Sequence, residues 1–313
     1  MRGGFLAGWR LPLVLLAAFV AIPLLPLGHN AGYAMLLGAR IMVFATAAVS
    51  LDLILGAGGL VSFGHAAPLL LGAYAVAALD KAGVDSMPAV LALAFALAGV
   101  YALLTGAIAL RTRGVNFIMI TLAFAQMVYF ATGSLSDYGG NDGYPLGSRT
   151  RLFGIRVLRD GLPFYLSALV VLAASYLLCR ALLATPFGRS LVALRQNEQR
   201  ARAMGIDPLR VRLGAMLVAS LIAAVAGVLL ANEADFISPA YGAWQRSAEL
   251  MVMVLLGGAG SLSGAVLGAG VVVLLEEGLG RFTGHWPLIF GPVLVLAALG
   301  LRGGLAGIGS RRG

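Results

Sequence analysis

Charge is scarce in this chain of 313 residues: Asp, Glu, Lys and Arg make up 11% of it, against 60% hydrophobic residues. That balance excludes a soluble domain of this size. Cysteine is scarcer still. Cys179 stands alone inside an apolar run, which excludes an intrachain disulfide and a thiolate metal cluster and leaves a small buried hydrophobe. Lysine occurs once, as Lys81 after Asp80. A phosphate-binding loop needs G-K-[ST], so the chain cannot carry the usual nucleotide-hydrolysing motif. The three histidines, His29, His65 and His285, are far apart, with no H-E-x-x-H pair. No G-x-S-x-G elbow is present, and Ser261-Leu262-Ser263-Gly264 lacks the leading glycine of an intramembrane serine protease motif. No catalytic constellation and no metal site emerge, and the chain reads as a non-enzyme. Nor is there a run of acids and histidines that could relay protons.

What is abundant is apolar sequence in long runs. A helix needs roughly 20 such residues to cross a bilayer. The pattern predicts ten spans, at about 11–28, 32–55, 66–80, 88–110, 115–132, 162–183, 209–231, 240–257, 261–278 and 286–301. Segments 66–80 and 240–257 are short enough to be tilted, broken or re-entrant, which leaves eight or nine full crossings. The expected fold class is therefore an all-α polytopic membrane protein of about ten transmembrane helices, with residues 1–313 as one domain. Arg2, Arg10 and the run from Leu11 to Leu27 imitate a signal peptide. The run is long for one, and further spans follow, so it reads as the first span.

The net charge of +9 comes from 22 basic residues, all arginine except Lys81. They sit in inter-span loops, so topology and partner contacts account for them better than nucleic acid does. Arg2 and Arg10, Arg111 and Arg113, the loop at 185–208, and Arg302, Arg311 and Arg312 all fall on one side. The positive-inside rule makes that side cytoplasmic, with both termini on it. The long outer loop, 133–161, carries Arg149, Arg151, Arg156 and Arg159 against that rule. A docked acidic protein surface would compensate, with Arg149 and Arg151 as its candidate contacts.

The stretch Thr185 to Arg212 has six arginines against Glu198 and Asp207. Leu191, Leu194, Ala201 and Met204 recur at helical spacing and predict one amphipathic face. Thr185-Pro186 reads as an N-cap with proline at the first helical position. Gly205 suits a helix stop, and Asp207-Pro208 a turn before the next span. Such a helix either lies on lipid or docks in a groove of a soluble partner.

Two glycine-rich stretches resemble each other: Leu55-Gly-Ala-Gly-Gly-Leu-Val-Ser-Phe-Gly64 and Leu256-Gly-Gly-Ala-Gly-Ser-Leu-Ser-Gly264. Each joins two apolar runs through a break. Weak repeats and interrupted helices are frequent in transporters, where they line the path. Gly260, Gly264 and Gly268 equally suit a close packing face. Ionisable and polar groups in spans are candidates for a path. They are Ser62, His65, Asn116, Thr121, Gln126 and Glu249, with Asp52 ahead of the first break. Plainer roles stand beside this one: His65 or Asp52 as a helix cap, and Glu249 as a simple partner of Arg246.

Four segments resemble a known family. They are LDLILGAGGLVSFGHAAPLLLGAYAVA (51–77), RTRGVNFIMITLAFAQMVYF (111–130), GRSLVALRQNEQRARAMGIDPLRVRL (188–213) and SAELMVMVLLGGAGSLSGAVLGA (247–269). Together they are similar to the M-type permease subunit of bacterial branched-chain amino-acid ABC importers, across nearly the whole chain. The resemblance implies a type II importer fold in the bacterial inner membrane. It implies as partners a second, H-type permease, two cytoplasmic ATPases that bind ATP-Mg, and a periplasmic substrate-binding protein. This chain would hold no cofactor of its own. The loop at 185–208 would be the coupling helix that meets the ATPases. Its contact set would be Arg189, Leu191, Leu194, Arg195, Glu198, Ala201, Met204 and Gly205. The family's glycine-rich outer motif is matched by Gly139-Gly140-Asn141-Asp142-Gly143. Ser136-Asp137-Tyr138 precedes it where many members have a threonine-glycine pair. Urea and short-chain amide importers use similar permeases, and a stand-alone facilitator is a further alternative.

Overall fold

A computed structural model of the chain describes residues 3–24, 31–147, 149–150, 158, 161–282, 291–292 and 304–305. Eleven α-helices occur among the described residues. They are α1 (Gly3–Ala21), α2 (Ala31–Asp52), α3 (Ala66–Lys81), α4 (Met87–Ala109), α5 (Val115–Gly133), α6 (Leu162–Ala184), α7 (Pro186–Gln196), α8 (Glu198–Ala203), α9 (Pro208–Ala234), α10 (Trp244–Gly257) and α11 (Leu262–Phe282). A π-helical turn, Leu53–Ala57, prolongs α2. One two-residue antiparallel ladder pairs β1 (Tyr144–Pro145) with β2 (Phe236–Ile237), Tyr144 opposite Ile237.

By length and composition six of these helices can cross a membrane: 31–57, 87–109, 115–133, 162–184, 208–234 and 262–281. Ten were expected. α3 has 16 residues and α10 has 14, which at 1.5 Å per residue is about 24 and 21 Å, short of a hydrocarbon core of about 30 Å. Of α1, Leu11–Ala21 is an apolar helix of 11 residues among the described residues. The predicted span at 286–301 lies almost entirely outside the described residues. Hydropathy alone could not make these distinctions, because a short buried helix and a crossing helix share one composition.

α2 and α9 form the centre. α9 packs on α2, α3 and α4, while α2 also meets α6, α10 and α11. The α3–α9 crossing is close because Gly72 lies against the Ala224 carbonyl and Gly227 against the Leu69 carbonyl. Small residues that let backbones approach are the usual device where lipid removes the hydrophobic drive between helices. Gly264 and Gly268 likewise meet the backbone of α10 at Gly257 and Met253, so this part of the glycine repeat serves helix packing. Outward faces of α4, α5 and α6 are apolar. Val100, Leu104, Met119, Met127, Phe130 and Val170 are exposed there, as suits lipid contact.

The connections sort to two ends of the bundle. At one end Asp80 accepts hydrogen bonds from the Tyr144 hydroxyl (3.2 Å) and the Gly147 amide (2.9 Å). Lys81 pairs with Asp137 there at 3.4 Å, and Arg149 pairs with Asp235. At the other end the α4–α5 turn, the α7–α8 loop and both glycine-rich breaks come together.

Candidate functional site

The α7–α8 loop is shaped by its caps. The Thr185 hydroxyl accepts from the Gly188 amide, and Pro186 occupies the first helical position of α7. α8 ends in a left-handed Gly205 (φ 83°). The Gly205 amide donates to the Arg202 carbonyl at 2.9 Å, and the Ile206 amide to the Ala201 carbonyl at 3.1 Å. This pair of bonds is the Schellman stop that glycine permits. Asp207 then accepts from the Leu209 and Arg210 amides, capping α9, with Pro208 at its first position.

One expectation fails in this loop. A single amphipathic helix was predicted, but the backbone is extended at Asn197 (φ −158°, ψ 103°), which splits it in two. The Asn197 side chain accepts from the Arg200 amide at 2.9 Å and restarts the helix as α8. The break resets the helical phase. Leu191, Leu194 and Ala201 are buried as expected, but Met204 is 63% exposed and does not share their face. Arg189, Arg195 and Arg200 lie on the exposed surface.

α7 is seated on both glycine-rich breaks at once. The Arg195 guanidinium donates through Nη1 to the Gly56 carbonyl, and its stem runs alongside Gly59. Leu191 packs beside Gly58. In turn Asp52, the last residue of α2, accepts at 2.7 Å from the amide of Gly260 in the second break. A side chain at Gly56 would collide with the Gly260 amide at 2.4 Å, so glycine is required for the breaks to touch. The two stretches that resemble each other in sequence therefore meet in space, with α7 above them. Sequence reasoning offered Asp52 as a cap or a functional residue; its side chain caps neither helix and instead joins the two breaks through Gly260. It did not place Arg195 in this junction. The only signal was the internal similarity of the two stretches.

Glu198, at the start of α8, gathers three arginines. It pairs with Arg113 of the α4–α5 turn at 2.7 Å, Arg202 of α8 at 2.7 Å and Arg212 of α9 at 3.0 Å. Burial by itself raises the carboxyl's pKa. The hydrogen bond and charge of Arg212, with Arg113 and Arg202, outweigh that and hold it below the usual carboxylate range. Glu198 and Arg212 also line a cavity of about 210 Å³ with Gly59, Thr112 and Phe117. The site thus ties the loop to α4, α5 and α9 by charge, and to α2 and α10–α11 through the glycine junction.

The predicted path residues do not form one cluster. Ser62 and His65 are buried and line a cavity of about 10 Å³ with Tyr101, Thr105 and Ser220. His65 Nε2 lies 2.7 Å from the Ser50 hydroxyl. Thr121 is buried near Gly64, its hydroxyl donating to the Ile118 carbonyl. Asn116 is exposed at the start of α5. Gln126 Nε2 is enclosed without a hydrogen-bond partner among the described residues. Glu249 lies elsewhere, on α10, accepting from Arg246 at 2.5 Å. At the opposite end, Arg149 is held by the Asp235 carboxylate and donates to the Leu158 carbonyl at 3.2 Å. Arg151 lies outside the described residues.

A family model described as "Branched-chain amino acid transport system / permease component" matches residues 33–301. The chain is 28% identical over 278 residues to the high-affinity branched-chain amino acid transport system permease protein LivM of Escherichia coli. That match covers 82% of this chain and 65% of the relative, so the chain spans about two thirds of the curated relative's length. A probable LivM of Methanocaldococcus jannaschii is 38% identical over 102 residues, 32% of this chain and 30% of that one. The xylose transport system permease protein XylH of Escherichia coli is 31% identical over 143 residues, 43% of this chain and 35% of its own. No solved structure matches the chain.

Proposed function

We propose, from the premise that this chain belongs to the branched-chain amino-acid transport permease family, that it is the membrane permease subunit of an ATP-driven amino-acid importer. The observation that carries the reading is the seat of α7 on two helix breaks, in a chain without a nucleotide-binding loop. A cytoplasmic ATPase pair would supply ATP-Mg hydrolysis, a second H-type permease would complete the membrane part, and a periplasmic binding protein would deliver the substrate. The arginine-rich end with α7 and α8 is cytoplasmic by the positive-inside rule, and the end with β1 and β2 is periplasmic. Both termini are cytoplasmic, in the bacterial inner membrane. Counting α1, α3, α10 and the 286–301 segment with the six long helices brings the membrane segments to ten, in a type II importer arrangement. The short α3 and α10 flank the glycine breaks.

Coupling follows from the junction. Closure of the ATPases pushes the exposed arginine face of α7 and α8 toward the membrane. Arg195 and Leu191 transmit that displacement to the first break at Gly56–Gly59, and the Asp52–Gly260 hydrogen bond carries it to the second. Both breaks then reorient the helices that follow them, α3 and α11. Glu198 keeps α8 in step with α4, α5 and α9. Ser62, His65, Thr121 and Gln126 remain path candidates, and Arg149, with Arg151, would contact the binding protein.

The test is reconstitution of this chain with its partner subunits in proteoliposomes, with the binding protein and radiolabelled leucine added outside. Uptake that requires ATP is the expected result. Equal uptake without ATP, or by this chain alone, overturns the reading in favour of a facilitator.

A further inference from the structure

A second charged site lies inside the membrane segments, away from the coupling loop. Arg40 projects from α2, Arg246 and Glu249 from α10, and Glu276 from α11, three helices that pack on one another. Arg246 donates to Glu249 at 2.5 Å and lies 5.1 Å from the centre of the Phe44 ring. Arg40 is within electrostatic reach of both Glu249 and Glu276. Arg40 is exposed on this chain, and the Arg246 and Glu249 side chains are 23% exposed. Charges at this depth do not face lipid, so what covers them is protein or a water-filled path.

Glu233 of α9 also lies within electrostatic reach of Arg40, and the cluster is incompletely bonded. Arg246 Nε and Glu276 Oε1 are enclosed and have no hydrogen-bond partner among the described residues. One is a donor on a cation and the other an acceptor on a carboxylate, and enclosed groups of this kind normally have partners. An α-amino acid supplies both complements, a carboxylate for Arg246 and an ammonium for Glu276. We infer that Arg246 and Glu276, with Arg40 and Glu249 beside them, form a transient site for the charged backbone groups of an amino acid in transit. This rests on the permease reading and deepens it. Because both atoms are enclosed, the site opens only when α10 shifts against α11. α10 ends at Gly257, next to the junction that α7 engages, so coupling motion reaches this site through one helix. Neutral solutes of similar size have no charges to satisfy it.

The test uses the complete reconstituted importer and the isosteric variant Glu276→Gln, with Arg246→Gln as a second variant. Leucine moved per ATP hydrolysed is expected to fall about tenfold, as when one partner of a charged hydrogen bond is removed. Subunit co-purification and binding-protein-stimulated ATPase activity should persist. A Glu249→Cys variant in a Cys179→Ala background should react with a hydrophilic thiol reagent, and leucine should slow that reaction. Leucine uptake per ATP at the wild-type level in both variants overturns the inference. So does labelling that leucine leaves unchanged, and so does loss of the second permease on purification, which would make the cluster a subunit contact. Absence of ATP-dependent uptake by the wild-type importer instead overturns the permease reading, and this inference with it.

Discussion

Replacing Arg195 with Gln tests the junction between α7 and the glycine breaks. The guanidinium of Arg195 donates to the Gly56 carbonyl and faces the buried Asp52. A charged hydrogen bond contributes about 1.5–3 kcal/mol. Arg195 is largely exposed, so water partly replaces the lost donor and the low end, about 1.5 kcal/mol, applies. Glutamine is too short to restore the contact. If that bond transmits the ATPase movement, its loss weakens coupling about tenfold, since about 1.4 kcal/mol corresponds to a factor of ten. The assay is leucine uptake per ATP hydrolysed in the reconstituted complex, with ATPase activity and assembly measured on the same preparation. ATP hydrolysis and assembly should persist while uptake per ATP falls. Asp52→Asn should show a related defect, and the double variant less than the sum, because the two residues share one junction. Additive effects, or unchanged uptake per ATP in Arg195→Gln, refute the coupling route.

Other outcomes follow from the same geometry. Gly205→Ala should destabilise by about 1–2 kcal/mol, the cost of a left-handed conformation for a residue with a Cβ, because that Cβ would meet nothing within 4 Å. Gly205→Pro should cost about 3 kcal/mol or more, since proline cannot adopt that φ and removes the donor to Arg202. Membrane insertion should survive and ATP-coupled uptake should not, as read by fractionation and transport. Glu198→Gln should loosen α8 and raise hydrogen exchange across residues 198–204. The Glu198 pKa lies below its unfolded value of about 4.3, so its stabilisation is fully present above that value and is lost as pH falls through the lower folded value. Protection factors in α8, with the intrinsic pH dependence of exchange divided out, should therefore stay flat from about pH 8 to 5. A fall in protection across that window contradicts the arginine cluster. Arg149→Glu sets a carboxylate against Asp235 and should reduce binding-protein-stimulated ATPase activity without lowering basal activity. Unchanged stimulation removes Arg149 from the docking surface.

The legible parts of this chain are those fixed locally. Thr185, Pro186, Gly205 and Asp207 act within a few residues of themselves, and each sits where its cap chemistry demands. The Asn197 break is equally local, and an asparagine followed by Glu198 is an N-cap with an acid in the first turn. Reading it that way would have split the helix and moved Met204 off the buried face. The Asp52–Gly260 bond is different. Those residues are 208 positions apart, and no periodicity brings them together. Span count is hard to read for another reason: α3 has 16 residues and α10 has 14, the latter with Arg246 and Glu249 among them, and hydropathy does not say whether such short helices cross. Arg246 was noted only as a partner for Glu249. That Arg40 and Glu276 join it from two other helices depends on the packing of α2 against α11.

The most direct measurement is purification of the tagged chain from its native membrane in mild detergent, with identification of what accompanies it. Recovery of P-loop ATPases and a second permease, with the ATPases released by charge reversal at Arg195 and Arg200, is the result this account predicts. Recovery of the chain alone, with ATP-independent uptake after reconstitution, would contradict it and make α7 and α8 lipid-surface helices.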